Sequence, residues 1–220
     1  MVLRVHGHIV SQPTRAVLSF LKANNIQYEL IPVNPLRGEH LTPQFKTLNP
    51  LCLIPTIEDG EFRLGESAAI LTYIHATRKC PDFWYPKDPA KRALVDRYLH
   101  WHHSYLRRGF LILFARLPGA KVADTAVSEA TAIFNKAMKT LEELLAHTAF
   151  LAGAEVTLAD LVAFCELDQH LTMRGMELNA FPKTQEWARR VAALSGVKEV
   201  HEELAKTVAG MKGGRRRARL

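Results

Sequence analysis

Between Asn49 and Ile74 the chain reads NPLCLIPTIEDGEFRLGESAAILTYI, and Ile54, Pro55, Glu66 and Ser67 within it are of types and at spacings that can hold a small polar molecule. An X-Pro bond in a tight turn is where a cis peptide is tolerated, and such a bond leaves the backbone N–H and C=O of Ile54 free to pair with a peptide-like ligand. Glu66 and Ser67 open an apolar helix, where a carboxylate, a hydroxyl and unpaired amides can receive an ammonium and a carboxylate together. The implied ligand is a zwitterion. Singly, each residue has a plainer role: Pro55 starting an edge strand in trans, Ser67 capping a helix, Glu66 complementing a helix dipole. Their succession, one strand opening on Pro55 and the next closing on Glu66, sets them apart.

The elements that must position these residues follow from local pattern. Leu3 to Val5 read as a strand. Ser11-Gln12-Pro13 reads as a helix start, with Pro13 in the first turn where its missing N–H costs nothing, and the helix ends near Asn24-Asn25. Tyr28 to Val33 alternate as a strand, Pro35 to Thr42 form a polar loop, and a short helix covers Gln44 to Leu48. Two strands, Thr56 to Glu58 and Phe62 to Leu64, meet at a Gly60 turn before the helix from Glu66 to Thr77. The order is βαβ, then ββα. Pro81, Pro86 and Pro89 mark a linker, after which strand signals cease. Helical periodicity then predicts Pro89 to Leu117, Asp124 to His147, Leu158 to Met173, Thr184 to Leu194 and Val197 to Ala209. Thr157 with Asp160 forms a capping box, a folding signal rather than a chemical one. The expected division is an α/β domain over 1–79, a linker over 80–89, an all-helical domain over 90–210 and a basic, disordered tail over 211–220.

Composition narrows the function classes. With 220 residues and 48% hydrophobic content the chain can bury real cores. No stretch has the length of a membrane span and no secretory signal opens it, so a soluble, cytoplasmic protein without a membrane partner is expected. Cys52, Cys80 and Cys165 form no CxxC pair, which argues against a disulfide framework, a zinc ribbon or a dithiol centre. Most of the formal charge of +7 sits in Lys212, Arg215, Arg216, Arg217 and Arg219, so nucleic-acid binding by the globular part has little support. GESAA at 65–69 lacks the second glycine of a nucleophile elbow. The ten histidines include no HExxH and no Cys/His pairing, so no metal is expected.

The βαβ plus ββα unit followed by a helical domain with a capping box resembles the soluble glutathione transferases up to about Gly210. SQPTRAVLSFLKANNIQYEL, GEHLTPQFKTLNP, GESAAILTYI and WHHSYLRRG are similar to the theta class in particular. The resemblance implies a thioredoxin-like N-terminal domain that holds glutathione as co-substrate, with no separate cofactor, and an all-α C-terminal domain that supplies an electrophile pocket. It implies conjugation of the glutathione thiolate to small hydrophobic electrophiles, with reduction of organic hydroperoxides as a second activity. A carrier or interaction protein of the same fold is the alternative, and a homodimer is expected. By position, Ser11 is the catalytic hydroxyl, steadying the thiolate of a thiol that otherwise titrates near 8.5. Ile54 and Pro55 meet the cysteinyl unit, Glu66 and Ser67 the γ-glutamyl end, and His40 with Gln12 the glycyl end. Tyr105, Arg107 and Phe110 belong to the electrophile pocket.

The chain departs from the class at His6-Gly7-His8, where apolar or aromatic residues are usual. It also ends sooner than theta proteins do, which implies an uncovered pocket open to bulkier electrophiles. Ala218-Arg219-Leu220 resembles a peroxisomal address of the SKL type, set against a basic tail with no address.

Overall fold

The computed structural model describes residues 2–117 and 119–217, with side chains through 210. Of the described residues, 2–81 and 193–217 form the first of two compact units; the second is Asp82–Ala192. In the first, strands β1 (Leu3–Gly7), β2 (Tyr28–Pro32), β3 (Thr56–Asp59) and β4 (Phe62–Leu64) form one mixed sheet in the order β2-β1-β3-β4. β1 runs parallel to β2 and antiparallel to β3, and β3 is antiparallel to β4. Leu3, Val5 and Ile57 put one face of the sheet against helices α1 (Gln12–Ala23) and α3 (Ser67–Thr77), whose Val17, Phe20, Leu21, Ile70, Leu71 and Ile74 are buried. The short α2 (Pro43–Leu48) is separated from β2 by two 3₁₀ turns, Pro35–Arg37 and Glu39–Leu41, where the sequence predicts only a polar loop.

In the second unit, α4 (Pro89–Ser104) is followed by a 3₁₀ turn at Leu106–Gly109, then α5 (Phe110–Phe114), α6 (Asp124–Leu145), α7 (Leu158–Arg174) and α8 (Pro182–Ala192). The single helix expected from Pro89 to Leu117 is therefore broken. Tyr105 leaves helical geometry at φ −125 and ψ −89. Gly109 then packs so closely that a Cβ would collide with the Phe134 ring and come within 2.6 Å of His170 Nε2. Tertiary packing overrides a periodicity that continues through the break. The expected linker carries a 3₁₀ turn, Asp82–Trp84, whose Trp84 is buried.

The last helix, α9 (Ser195–Arg217), differs from the expected division. It lies on α1, within the first unit, rather than with the helices it follows in sequence. Gly196 permits that approach, since a Cβ there would collide with the Ala23 amide, and Lys22 Nζ bonds Glu199 at 3.0 Å. The backbone is helical through Arg217, within the stretch where the sequence predicts a basic, disordered tail. Ala218-Arg219-Leu220 lies outside the described residues. Among the described residues, no helix is long and apolar enough to cross a membrane.

Candidate active site

Sheet register alone gathers the predicted residues. Gly7 pairs with Pro32, His6 with Thr56, and Ile57 with Leu64. The C-terminal ends of β1, β2 and β4 and the N-terminal end of β3 thus share one edge of the sheet. Four connections leave or enter there: the turn to Ser11, the loop holding His40, the loop ending at Ile54-Pro55, and the turn at Glu66-Ser67. A mixed sheet with this strand order is what brings distant segments together.

Ser11 is the N-cap of α1, with extended backbone (φ −85, ψ 118) and its amide donating to His8 O at 2.9 Å. Its Oγ accepts from Thr14 N at 3.5 Å, the outer limit of a hydrogen bond. The hydroxyl is thus aligned with the helix start while its own proton stays available. No acidic residue lies in the first turn of α1 to cancel the positive end of its dipole. Gly7 lets the strand end approach α1, because a Cβ there would lie 2.5 Å from Thr14 Cγ2. Such a position favours an anion.

The Ile54-Pro55 peptide is cis, as the sequence anticipated. Among the described residues no hydrogen bond engages the backbone of Ile54. Glu66 is the N-cap of α3, exposed, and held at φ +66 and ψ 110 without a side-chain cap bond. A non-glycine residue at positive φ costs about 1–3 kcal/mol and persists where the surroundings over-determine it. Ser67 follows, 9% exposed at the first position of the helix. Carboxylate, hydroxyl and first-turn amides therefore converge on one helix start.

Gln12 is buried at the first position of α1. His40 sits in the second 3₁₀ turn, with its Nδ1 buried and unbonded among the described residues. His8 accepts from Val10 N at 3.3 Å; burial pulls its pKa down, opposed by the nearby Glu39 carboxylate. The neighbouring His6 is otherwise engaged. Its Nε2 lies 2.7 Å from Glu58 Oε1, and the other carboxylate oxygen, Oε2, faces Arg63 across the strand pair. Of the two unusual histidines, His6 is thus taken up by the sheet.

In the second unit, Tyr105, Arg107 and Phe110 collect at the break after α4. Tyr105 stacks on Trp101 with ring centroids 4.9 Å apart. Arg107 pairs with Glu166 at 3.3 Å and lays its guanidinium 4.8 Å from the Phe110 ring centroid. Phe110 is 38% exposed beside an equally exposed Phe114, so the break carries an aromatic surface. Nearby, burial holds His102 down to about 4 and His170 down to about 3, so both rings are neutral at physiological pH. Among the described residues no group of His, Cys, Asp or Glu is arranged to hold a metal ion.

Sequence reasoning missed Asn49, Glu166 and Phe114. Glu166 and Phe114 acquire roles only through the break, but Asn49 carried a signal: an Asn-Pro pair ahead of a tight loop.

Two family models match the chain: glutathione S-transferase N-terminal domain over residues 1–76, and glutathione S-transferase C-terminal domain over residues 85–195. The chain is similar to human glutathione S-transferase theta-1, 38% identical over 216 residues covering 94% of this chain and 90% of that protein. Human theta-2B is 39% identical over 209 residues, covering 92% and 85%. Among solved structures, a human theta-class enzyme in complex with the glutathione conjugate of 1-menaphthyl sulfate superimposes with a TM-score of 0.87 at 36% identity, covering 95% of this chain and 89% of that one. Human theta-2 in complex with glutathione gives 0.86 at 36% identity, covering 94% and 89%.

Proposed function

The chain belongs to the glutathione S-transferase family, and from that premise we propose that it joins the sulfur of glutathione to small hydrophobic electrophiles, with Ser11 as the catalytic hydroxyl. The observation that carries this reading is the Ser11 hydroxyl at the start of α1, held by one long bond and free to donate. A thiol near pH 7 is only a few per cent thiolate; a hydroxyl proton and the positive helix end beside the sulfur lower its pKa and raise that fraction. The thiolate then attacks the electrophile, and the leaving group or a solvent proton completes the reaction. Ser11 forms no covalent bond.

Glutathione is assigned to the sheet edge. Its cysteinyl backbone pairs with Ile54 beside Pro55, its γ-glutamyl ammonium and carboxylate with Glu66 and Ser67, and its glycyl end with His40 and Gln12. Electrophile recognition is assigned to Tyr105, Arg107 and Phe110. Reduction of organic hydroperoxides is the proposed second activity: the same thiolate attacks peroxide oxygen and breaks the O–O bond, the departing alkoxide takes a solvent proton to leave as the alcohol, and a second glutathione displaces water from the sulfenic product to give the disulfide. A homodimer is also proposed; sedimentation equilibrium giving a monomer at working concentration would remove it.

The test is Ser11→Ala. Loss of the donor lowers kcat about a hundredfold, in the range seen when one oxyanion donor is removed, while glutathione binding persists and the ultraviolet absorption of bound mercaptide near neutral pH disappears. Unchanged kinetics would sink the role given to Ser11. Retention on immobilised glutathione without turnover of an electrophile panel or cumene hydroperoxide would replace the enzyme by a carrier.

A further inference from the structure

We propose that Asn49 is a positioning residue that aims the Ile54 amide and fixes its spacing from the Glu66-Ser67 helix start; the inference rests on the assignment of both to glutathione. Asn49 is 4% exposed, and both donors and the acceptor of its amide are used. Nδ2 donates to Leu53 O at 3.1 Å and to Thr56 Oγ1 at 2.9 Å, while Oδ1 accepts from Leu51 N at 3.0 Å. Thr56, itself fully buried, donates its hydroxyl to the same Leu53 carbonyl at 2.9 Å.

The Leu53 carbonyl and the Ile54 amide belong to one planar peptide and point in opposite directions when it is trans. Two buried donors pulling that carbonyl inward therefore turn the Ile54 N–H outward. Without them the peptide plane can rotate, and the amide loses its direction.

The same side chain also touches the second half of the cradle. A Cβ at Gly65 would lie 2.8 Å from Asn49 Nδ2, so the amide of Asn49 packs against the Cα of the residue immediately before Glu66. Glu66 is the position held at φ +66. One buried amide thus contacts both loops that are assigned to the cysteinyl and γ-glutamyl parts of the ligand, and Gly65 is the residue small enough to permit it.

The experiment is steady-state kinetics in glutathione on Asn49→Leu, Gly65→Ala and the double variant, with circular dichroism on each. Loss of one buried polar anchor is expected to raise KM for glutathione about tenfold in either single variant, with kcat at saturation within about threefold. The double variant should fall well short of the product of the two, because Gly65→Ala acts by displacing an amide that Asn49→Leu has already removed. A role in folding alone would reduce the active fraction and leave KM untouched. Folded Asn49→Leu with native KM, or strictly multiplicative effects, would overturn the proposal. Should Asn49→Leu not fold, Thr56→Val removes one anchor and Thr56→Ser keeps it; a raised KM in the first alone supports the assignment, and equal KM values overturn it. Glu66→Ala with native KM would instead strike at the underlying assignment of the ligand, a failure these variants do not mimic.

Discussion

Helices α1 and α7 both open on a hydroxyl, and they use it in opposite ways. At α7, Thr157 is buried and its hydroxyl and amide both donate to Asp160 Oδ2, at 3.0 and 2.8 Å. The other Asp160 oxygen takes the Leu151 amide at 2.9 Å and Trp187 Nε1 at 2.8 Å. Burial pushes the pKa of Asp160 up, against four hydrogen bonds that favour the carboxylate. Nothing is left over for a ligand. At α1, Ser11 is half-buried and its hydroxyl makes one bond of 3.5 Å, and at α3 the Glu66 side chain makes no cap bond. The saturated cap holds a fold together; the unsaturated ones keep donors for something that arrives later.

The contrast breaks most visibly if Asp160 is truncated. Asp160→Ala strands the Trp187, Leu151 and Thr157 donors and is expected to cost about 3–5 kcal/mol, read from urea unfolding. Thr157→Ala should cost about 1 kcal/mol. Ser11→Ala, by contrast, should change stability by less than about 0.5 kcal/mol, because its cap bond is near the limit. Equal losses at positions 11 and 157 would erase the distinction.

A second test uses pH. The folded-state values of about 4 for His102 and about 3 for His170 lie below the ordinary 6.5, mainly through burial, with His103 and Arg107 facing His102 and Arg174 facing His170. Below pH 6.5 the unfolded chain binds protons that the fold refuses. Stability present at and above neutrality is therefore lost as pH falls, down to about 4 for His102 and about 3 for His170, at up to about 1.4 kcal/mol per pH unit for each. His170→Gln should flatten that slope; an unaltered slope would mean that the ring is not held neutral.

The smallest effect sharpens the contrast from the other side. Glu66→Gly relieves the positive φ and should stabilise the chain by up to about 1 kcal/mol, while raising KM for glutathione. A variant that gains neither stability nor KM would show that the strained cap serves no binding purpose.

Much of this was legible because its causes are local. A proline in the first turn, a Gly60 turn and the Thr157/Asp160 pair each act within a few residues, so element order, the cis-Pro turn and the helix starts could be read directly. The break at Tyr105 could not, because Gly109 is demanded by Phe134 and His170, remote in the sequence. Asn49 was given no role because its side chain meets Gly65 only after β3 and β4 have paired. The resting place of α9 was hidden for the same reason: Gly196 carries no periodic signal, and its partners lie near the other end of the chain.

That last helix bears on how the molecule is made. A ribosome completes the sheet edge and α1 before α9, so the surface of α1 that receives α9 stays bare until all of Asp82–Ala192 has emerged. The unit that carries Ser11 is thus begun before Asp82–Ala192 is translated and closed only after it.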